Sequence, residues 1–281
     1  MSNYKMVDVE KSISIQHEQF TRFKTAYDYL NKITFTINGM NIDLLVGDIV
    51  SIMGISRVTN LILTRICVSS LLPKRHGGLC KRNLNSNVFI LDAGNSTDVY
   101  QFVDFMKQYG LDIKKTLQKI IVSRVFTIYQ LIHFLVYELS KIIRKYNINL
   151  VVIPDLLEMF IQDPQLHMKE AKSLIREIAA ALREIAAALR KISVMNNNNN
   201  NYNVLLLASL PSNNELSSPI LDVTHRIFFS LFNKEIEITE NNTNDRLKLR
   251  MRERSDDDIH DTTIKKHYSL SMEDLITITG R

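Results

Sequence analysis

Residues 48–73, DIVSIMGISRVTNLILTRICVSSLLP, form the stretch whose residue types and order best suit a chemical site. An apolar run at Ile49–Met53 predicts a short buried strand, Gly54 follows it, and apolar residues at helical spacing come next. A strand that enters a helix through a tight loop can bind phosphate, because unpaired backbone N–H groups and the helix dipole both point at the loop. The order of elements therefore indicates a candidate phosphate site at the start of this helix.

The side chains that a working phosphate loop requires are missing from this stretch. In the motif G-x-x-x-x-G-K-[ST], the second glycine permits close backbone approach, the lysine binds the outer phosphates and the hydroxyl binds Mg²⁺. Counting from Gly54, those three positions hold Thr59, Asn60 and Leu61. From this stretch alone, an ordinary strand-to-helix turn that contains a glycine is the better interpretation.

The composition fits one large α/β domain, because 281 residues with 45% hydrophobic and 23% charged side chains can bury a full core. The net charge of +5 permits contact with nucleic acid or an acidic partner, but a surplus this small is also ordinary for a soluble protein. Cys67 and Cys80 have no cysteine or histidine at ligand spacing, which predicts neither a disulfide framework nor a zinc site. Without a signal peptide or a run of about 18 apolar residues, we expect a soluble cytoplasmic protein, with nucleoid association left open.

Apolar runs separated by helical segments predict the sheet that must position the site. These runs are residues 87–92, 119–123, 149–153 and 204–208. Between them lie a helix at 97–109, which ends at Gly110 as a C-cap, and a long helix that begins after Arg124 and runs through Tyr146. Strands with continuous apolar runs are typical of a mostly parallel sheet with both faces covered. The expected fold class is therefore α/β.

A long helix is predicted at residues 169–195, where the heptad REIAAAL occurs twice, at 176–182 and 183–189. Its apolar residues alternate by three and four, the spacing of a helical seam. Two heptads favour a core-facing helix, lengthened by duplication or by an engineered insertion, over a coiled coil. The polyasparagine run at 196–201 predicts a disordered loop.

The C-terminal third predicts an antiparallel extension of the sheet. Its candidate strands are residues 225–232, 245–254, 267–271 and 275–279. Alternation along the second of these places five cations on one face: Arg246, Lys248, Arg250, Arg252 and Arg254. A patch that contacts the DNA backbone and a solvated edge strand that resists aggregation explain this pattern equally well.

The sequence resembles the ATPase core of the RecA/RadA recombinase family from about Phe23 to the C-terminus. The residues that carry the resemblance are the strand, loop and helix ending at Leu72-Pro73, Gly77-Gly78, NVFILDAGNST, GLDIKKTLQKIIVSRVF with Arg124, Gln130, NLVVIPDLL and VLLLASLP. The resemblance implies a RecA-like P-loop NTPase core at residues 33–281. We expect a paralogue of archaeal-type RadA that lacks the helical N-terminal DNA-binding domain common in the family.

The segment before this core is similar to the family's F-x-x-A oligomerisation element. In FKTAYDYLNK, Phe23 and Ala26 stand at the positions that enter a pocket on a neighbouring recombinase subunit. A buried aromatic side chain of this kind often dominates an interface. We therefore expect a flexible arm at 1–20 and a docking helix at 21–32, while a helix packed on its own domain remains the alternative.

The resemblance also implies a nucleotide site whose catalytic side chains have been lost. The family's carboxylate that polarises the attacking water falls at Gly94, and its metal-supporting aspartate falls at Pro154, where the adjacent Asp155 would substitute in part. We expect little or no ATP hydrolysis, and weak binding of ATP with Mg²⁺ at most. The candidate nucleotide-binding residues are Gly54, Ser56, Arg57, Thr59, Asn60 and Asp155. Further candidate cations for the phosphates are Lys74 and Arg75.

These observations favour an accessory, or mediator, protein of homologous recombination and DNA repair. It would dock through Phe23 and Ala26 on a recombinase subunit or a second paralogue. We also expect DNA contacts from Lys248, Arg250, Arg252 and Arg254. Three alternatives stay open: a weak DNA-dependent ATPase of the same family, an interaction scaffold unrelated to DNA, and a homo-oligomer.

Overall fold

The computed structural model describes residues 32–37, 40–80, 86–163, 165–195, 204–211, 227–228, 231–241, 246–254 and 262–277. Three predicted segments lie outside these residues. They are the arm at 1–20, the docking helix at 21–32 apart from Lys32, and the polyasparagine loop at 196–201.

The described residues alternate between strands and helices through most of the chain. The strands are β1 (Lys32–Ile37), β2 (Met40–Leu45), β3 (Ile49–Met53), β4 (Asn87–Asp92), β5 (Ile120–Arg124), β6 (Ile148–Ile153), β7 (Leu205–Leu210), β8 (Lys234–Asn241), β9 (Arg246–Arg254) and β10 (Thr262–Ser271). The helices are α1 (Ser56–Ser70), α2 (Val99–Gln108), α3 (Ile113–Leu117), α4 (Ile128–His133), α5 (Leu139–Lys145), α6 (Glu158–Gln162), α7 (Met168–Met195) and α8 (Met272–Ile276). A π-helical segment, Phe134–Glu138, joins α4 to α5, so the predicted long helix is continuous but locally widened.

Eight strands form one sheet in the order β10-β9-β8-β3-β7-β6-β4-β5. The six strands from β8 to β5 in this order run parallel to one another, whereas β9 is antiparallel to both β8 and β10. Strands β1 and β2 form a separate antiparallel hairpin. The prediction of an α/β fold, with a mostly parallel sheet and an antiparallel C-terminal part, is confirmed.

Both faces of the sheet are covered by apolar layers, as continuous apolar strands require. From the central strand β3, Val50 and Ile52 face a core cluster that also contains α1, α2 and the β1–β2 hairpin. Ile49 and Met53 face a second cluster, formed with α4, α5 and α7. Every residue of β3 is buried, so its end and the start of α1 are held rigidly between two cores.

Helix α7, with 28 residues, packs one side of the heptad repeat against the second cluster. Ile178, Leu182 and Ile185 are buried, whereas Arg183 and Glu184 are exposed. This arrangement supports the interpretation of a core-facing helix. Within the described part of the chain, no helix combines the length and the apolar character needed to cross a bilayer.

The prediction for the C-terminal third was wrong in two places. Ile227 and Phe228, expected in a strand, are helical, and the strand instead follows at β8. The stretch 275–279 was also expected to be a strand, but Leu275 and Ile276 lie in α8. Ser271 caps this helix reciprocally with Asp274, and the capping box outweighs the β propensity of the residues that follow.

A buried arginine joins three separate parts of the fold. Arg65 of α1 donates hydrogen bonds to the carbonyl oxygens of Thr36, Asp274 and Leu275, at 2.8 to 2.9 Å. Its guanidinium also lies 5.4 Å from the ring centroid of Phe35. The last two acceptors belong to the C-terminal half of α8, where the helix dipole favours a cation. Arg65 therefore ties the hairpin and the C-terminal helix to the helix that begins at the candidate site.

We expect Arg65→Ala to lower the free energy of unfolding by about 3 kcal/mol, because it leaves three carbonyl groups without their buried donor. Arg57→Ala is the matched control, since Arg57 is exposed on the same helix and should change stability by less than about 0.5 kcal/mol. Urea denaturation of both variants measures the difference. Equal effects would show that Arg65 does not hold these elements together.

Candidate functional site

The candidate site lies at the edge of the sheet where the parallel strands β3, β4, β6 and β7 end. Ligands of α/β proteins bind at this edge, next to helix N-termini. Here only Gly54 and Ile55 connect β3 to α1, so the helix begins at Ser56. A phosphate loop instead places six residues, G-x-x-x-x-G, before its lysine. The connection is too short to wrap a phosphate group.

Gly54 serves packing at this edge. Its N–H donates to the carbonyl oxygen of Leu210, 3.2 Å away, so it is not presented to a ligand. A Cβ at this position would lie 2.9 Å from the carbonyl oxygen of Ile238 in β8. Only glycine permits β8 to approach the end of β3 this closely.

The structure does not match the motif positions that were counted from Gly54, because α1 already begins at Ser56. Thr59 and Asn60 lie within α1 and not on a loop. Thr59 is buried, and its hydroxyl donates to the carbonyl oxygen of Ser56 at 3.0 Å. Asn60 lies one turn after Ser56, so the two side chains share a face of the helix. Ser56 and Asn60 are therefore the polar residues that α1 contributes to the site.

Asp155, which follows β6, extends its carboxylate to the first turn of α1. Its Oδ2 accepts hydrogen bonds from Ser56 Oγ at 2.9 Å and from Asn60 Nδ2 at 2.8 Å. Its backbone N–H donates to Ser209 Oγ at 2.7 Å, and the same hydroxyl lies 3.4 Å from Oδ1. Asp155 is buried, and the positive end of the helix dipole favours its charge. The protein's own carboxylate thus takes the place that suits an anion.

Gly94, which follows β4, makes room for Asp155. A Cβ at residue 94 would lie 2.5 Å from the Cβ of Asp155, closer than two such atoms can approach. Asp155 also has a φ of 47°, in the left-handed region that non-glycine residues rarely occupy. The backbone at residue 155 is therefore held in a strained conformation, and a side chain at residue 94 would be incompatible with it.

The other carboxylate at this edge, Asp92, stabilises the loop after β4. It is fully buried, its Oδ2 lies 3.3 Å from Nε of Arg124, and it accepts hydrogen bonds from the backbone N–H groups of Ser96 and Thr97. These contacts fix the path of the chain between β4 and α2. These contacts of Asp92 are thus structural.

The described residues do not fit a nucleotide phosphate. The connection before α1 is short, and a carboxylate already binds the polar groups of its first turn. Of the candidate cations, Arg57 is exposed in that turn, but Lys74 and Arg75 follow the far end of a 15-residue helix, about 22 Å away. The expectation that Lys74 or Arg75 could reach phosphates at the start of α1 is therefore wrong. Among the described residues, no group of three His, Cys, Asp or Glu side chains could hold a metal ion.

Two arginines of the predicted basic face of β9 are paired with acids on β8. Arg252 lies 3.3 Å from Glu237 and 3.8 Å from Glu235, and Arg250 lies 3.8 Å from Glu237. Lys248 is exposed on the same strand. Arg254 also lies in β9. Pairing of this kind lowers the positive potential that a DNA backbone would meet.

Two features of this region were not anticipated from the sequence. Ser209, which holds the backbone of Asp155, lies 54 residues away along the chain, and no local pattern indicates the contact. The acids of β8 did leave a signal, because Glu235 and Glu237 alternate with Ile236 and Ile238 as a half-buried strand requires. Phe23 and Ala26, which the sequence predicts as docking residues, lie outside the described residues.

Comparison with protein-family models finds no match, and comparison with curated proteins finds no significant one.

We expect Gly94→Ala to destabilise the protein by about 2 kcal/mol, because the added methyl group overlaps Asp155. In an Asp155→Gly background the overlap disappears, so the same substitution should cost almost nothing. A double-mutant cycle by urea denaturation measures this coupling. Equal costs in the two backgrounds would contradict the contact.

Replacing the two acids of β8 that pair with β9, by Glu235→Gln with Glu237→Gln, should expose Arg250 and Arg252 and strengthen binding to single-stranded DNA. Two newly available cations should steepen the salt dependence, the slope of log K against log salt, by about 1.4. Fluorescence anisotropy at several KCl concentrations measures both quantities. Glu177→Gln with Glu273→Gln is the control, because it removes two exposed acids outside β8. Equal gains in DNA affinity in both double variants would show that the effect comes from net charge and not from the release of Arg250 and Arg252.

Proposed function

We propose that this chain is a non-hydrolysing accessory protein that docks on a recombinase and assists homologous recombination and DNA repair in the cytoplasm. The observation that carries the proposal is the carboxylate of Asp155, bound by Ser56 and Asn60 at the start of α1. In a RecA-like core, this edge of the sheet would bind a nucleotide. Here the Asp155 carboxylate occupies it with a contact that is internal to the protein. The recombinase context comes from the ordered landmarks of the sequence, and the α/β sheet is compatible with it.

Phosphoryl transfer requires cations on the transferred group and a positioned attacking water. At this edge, Thr59 is buried within α1, and Asp92 is bound by Arg124 and the loop after β4. A carboxylate at the helix N-terminus would also repel a phosphate, since both are anions. These features favour a binding role over catalysis, and they oppose the weak DNA-dependent ATPase as an alternative.

The docking step would use Phe23 and Ala26, whose spacing places them one turn apart on a helix. An aromatic side chain that enters a pocket beside a small residue gives a compact, strong contact. Docking of this kind lets the protein nucleate, cap or remodel a recombinase filament without turnover of its own. The partner would be a recombinase subunit or a second paralogue.

A second candidate function is an interaction scaffold that makes no contact with DNA. The pairing of Arg250 and Arg252 with Glu235 and Glu237 favours it over a mediator that holds DNA directly. Both candidates share the docking step and the absence of hydrolysis. They differ in whether DNA affinity contributes to activity.

We expect the purified full chain to show no saturable binding of ATP or ADP with Mg²⁺ at millimolar nucleotide, and no turnover with or without single-stranded DNA. Isothermal calorimetry and a phosphate-release assay measure these quantities, with an active recombinase as the positive control. Saturable binding with DNA-stimulated hydrolysis would contradict the proposal and reinstate the ATPase alternative.

Phe23→Ala should weaken binding to a RecA/RadA-type recombinase from the same cell by about 30-fold, the effect of losing an interface hot spot. Phe20→Ala is the matched control, because it removes an identical ring three residues earlier along the chain. Surface plasmon resonance measures both affinities. An equal effect of the two substitutions, or none, would contradict docking through Phe23.

A further inference from the structure

A small cavity, partly open to solvent, lies beside the contact between Asp155 and α1. Its volume is about 10 Å³, close to the minimum that one water molecule needs. Its walls are formed by α1, the ends of β4 and β6, and the loop and helix that follow β4. Apolar wall residues include Leu63, Ile90, Phe102 and Val152.

Three side-chain oxygens on this wall are buried and have no hydrogen-bond partner among the described residues. They are Asn60 Oδ1, Ser96 Oγ and Thr97 Oγ1. An unpaired buried polar atom is costly, and such atoms in proteins are usually satisfied by an ordered water. Three of them on one cavity give it polar groups to which a water molecule can bind.

The orientation of Asn60 is set by its other contacts. Its amide nitrogen donates to Asp155 Oδ2 at 2.8 Å and to Ser56 Oγ at 3.1 Å. The opposite side of the amide, Oδ1, must therefore face away from the carboxylate, and it can only accept. The hydroxyls of Ser96 and Thr97 can each donate or accept. The three atoms therefore offer one group that only accepts hydrogen bonds and two hydroxyls that can either donate or accept them.

We propose that one ordered water molecule occupies this cavity, hydrogen-bonded to Asn60, Ser96 and Thr97. Water can donate to Asn60 Oδ1 and to one hydroxyl while it accepts from the other, which gives the three bonds typical of buried waters. A metal cation fits less well, because none of the residues that line the cavity is charged. Burial also raises the pKa of the wall thiol Cys67, so that group stays neutral.

The water completes a continuous polar chain across the carboxyl edge of the sheet. On one side, Asn60 leads to Asp155 and Ser209, and so to the ends of β6 and β7. On the other side, the backbone N–H groups of Ser96 and Thr97 lead to Asp92 at the end of β4. The chain thus spans the region where a ligand would enter, and it gives the site a fixed structure without any cofactor.

The substitution Thr97→Val tests the proposal because its sign depends on what fills the cavity. If a water is bound, the substitution removes one of its partners, and Tm should fall by about 2 °C. If the cavity is dry, the substitution replaces an unpaired hydroxyl with a methyl group, and Tm should rise or stay unchanged. Thr64→Val is the matched control, since Thr64 lines the same cavity but donates to the carbonyl oxygen of Asn60 at 2.8 Å.

A high-resolution crystal structure of the full chain supplies the second readout. We expect a water at hydrogen-bonding distance from Asn60 Oδ1, and loss of its density in Thr97→Val crystals. An empty cavity, a cation identified by anomalous scattering in crystals soaked with rubidium, or a Tm that does not fall in Thr97→Val would each overturn the proposal.

Discussion

The carboxylate of Asp155 at the start of α1 is the contact on which the architecture of this site depends. A carboxylate there satisfies Ser56 and Asn60 and matches the positive end of the helix dipole. To place it, the chain adopts a left-handed conformation at residue 155 and keeps Gly94 free of a side chain. Strain of this kind persists only where surrounding contacts over-determine it, and Ser209 supplies one of them.

Other charged side chains of the fold also have their partners within the protein. Arg65 is buried against backbone carbonyls, Asp92 binds Arg124, and the arginines of β9 face acids of β8. Because these charges are paired within the protein, the positive electrostatic potential available to the phosphates of a nucleotide or of DNA is lower. This pairing supports the proposal of a docking protein over the ATPase alternative.

The sequence predicted those elements whose pattern is local. The apolar run of β4 and the turn at Gly54 were predicted from hydrophobic period and turn chemistry, whereas the apolar run at 225–232 was predicted as the strand in place of β8. At the site, the resemblance brought Asp155 and Ser56 together as candidates, whereas their contact with each other was not anticipated. Their contact depends on β3 and β6 ending at the same edge of the sheet. The spacing of residues along the chain does not predict tertiary geometry of that kind.

The most direct test of the central claim is a crystal structure of the full chain grown with ADP and Mg²⁺. The account predicts that the Asp155 carboxylate remains within hydrogen-bonding distance of Ser56 Oγ and Asn60 Nδ2, with no nucleotide at the start of α1. Phosphate density at that helix terminus, with the carboxylate turned away from Ser56, would contradict it.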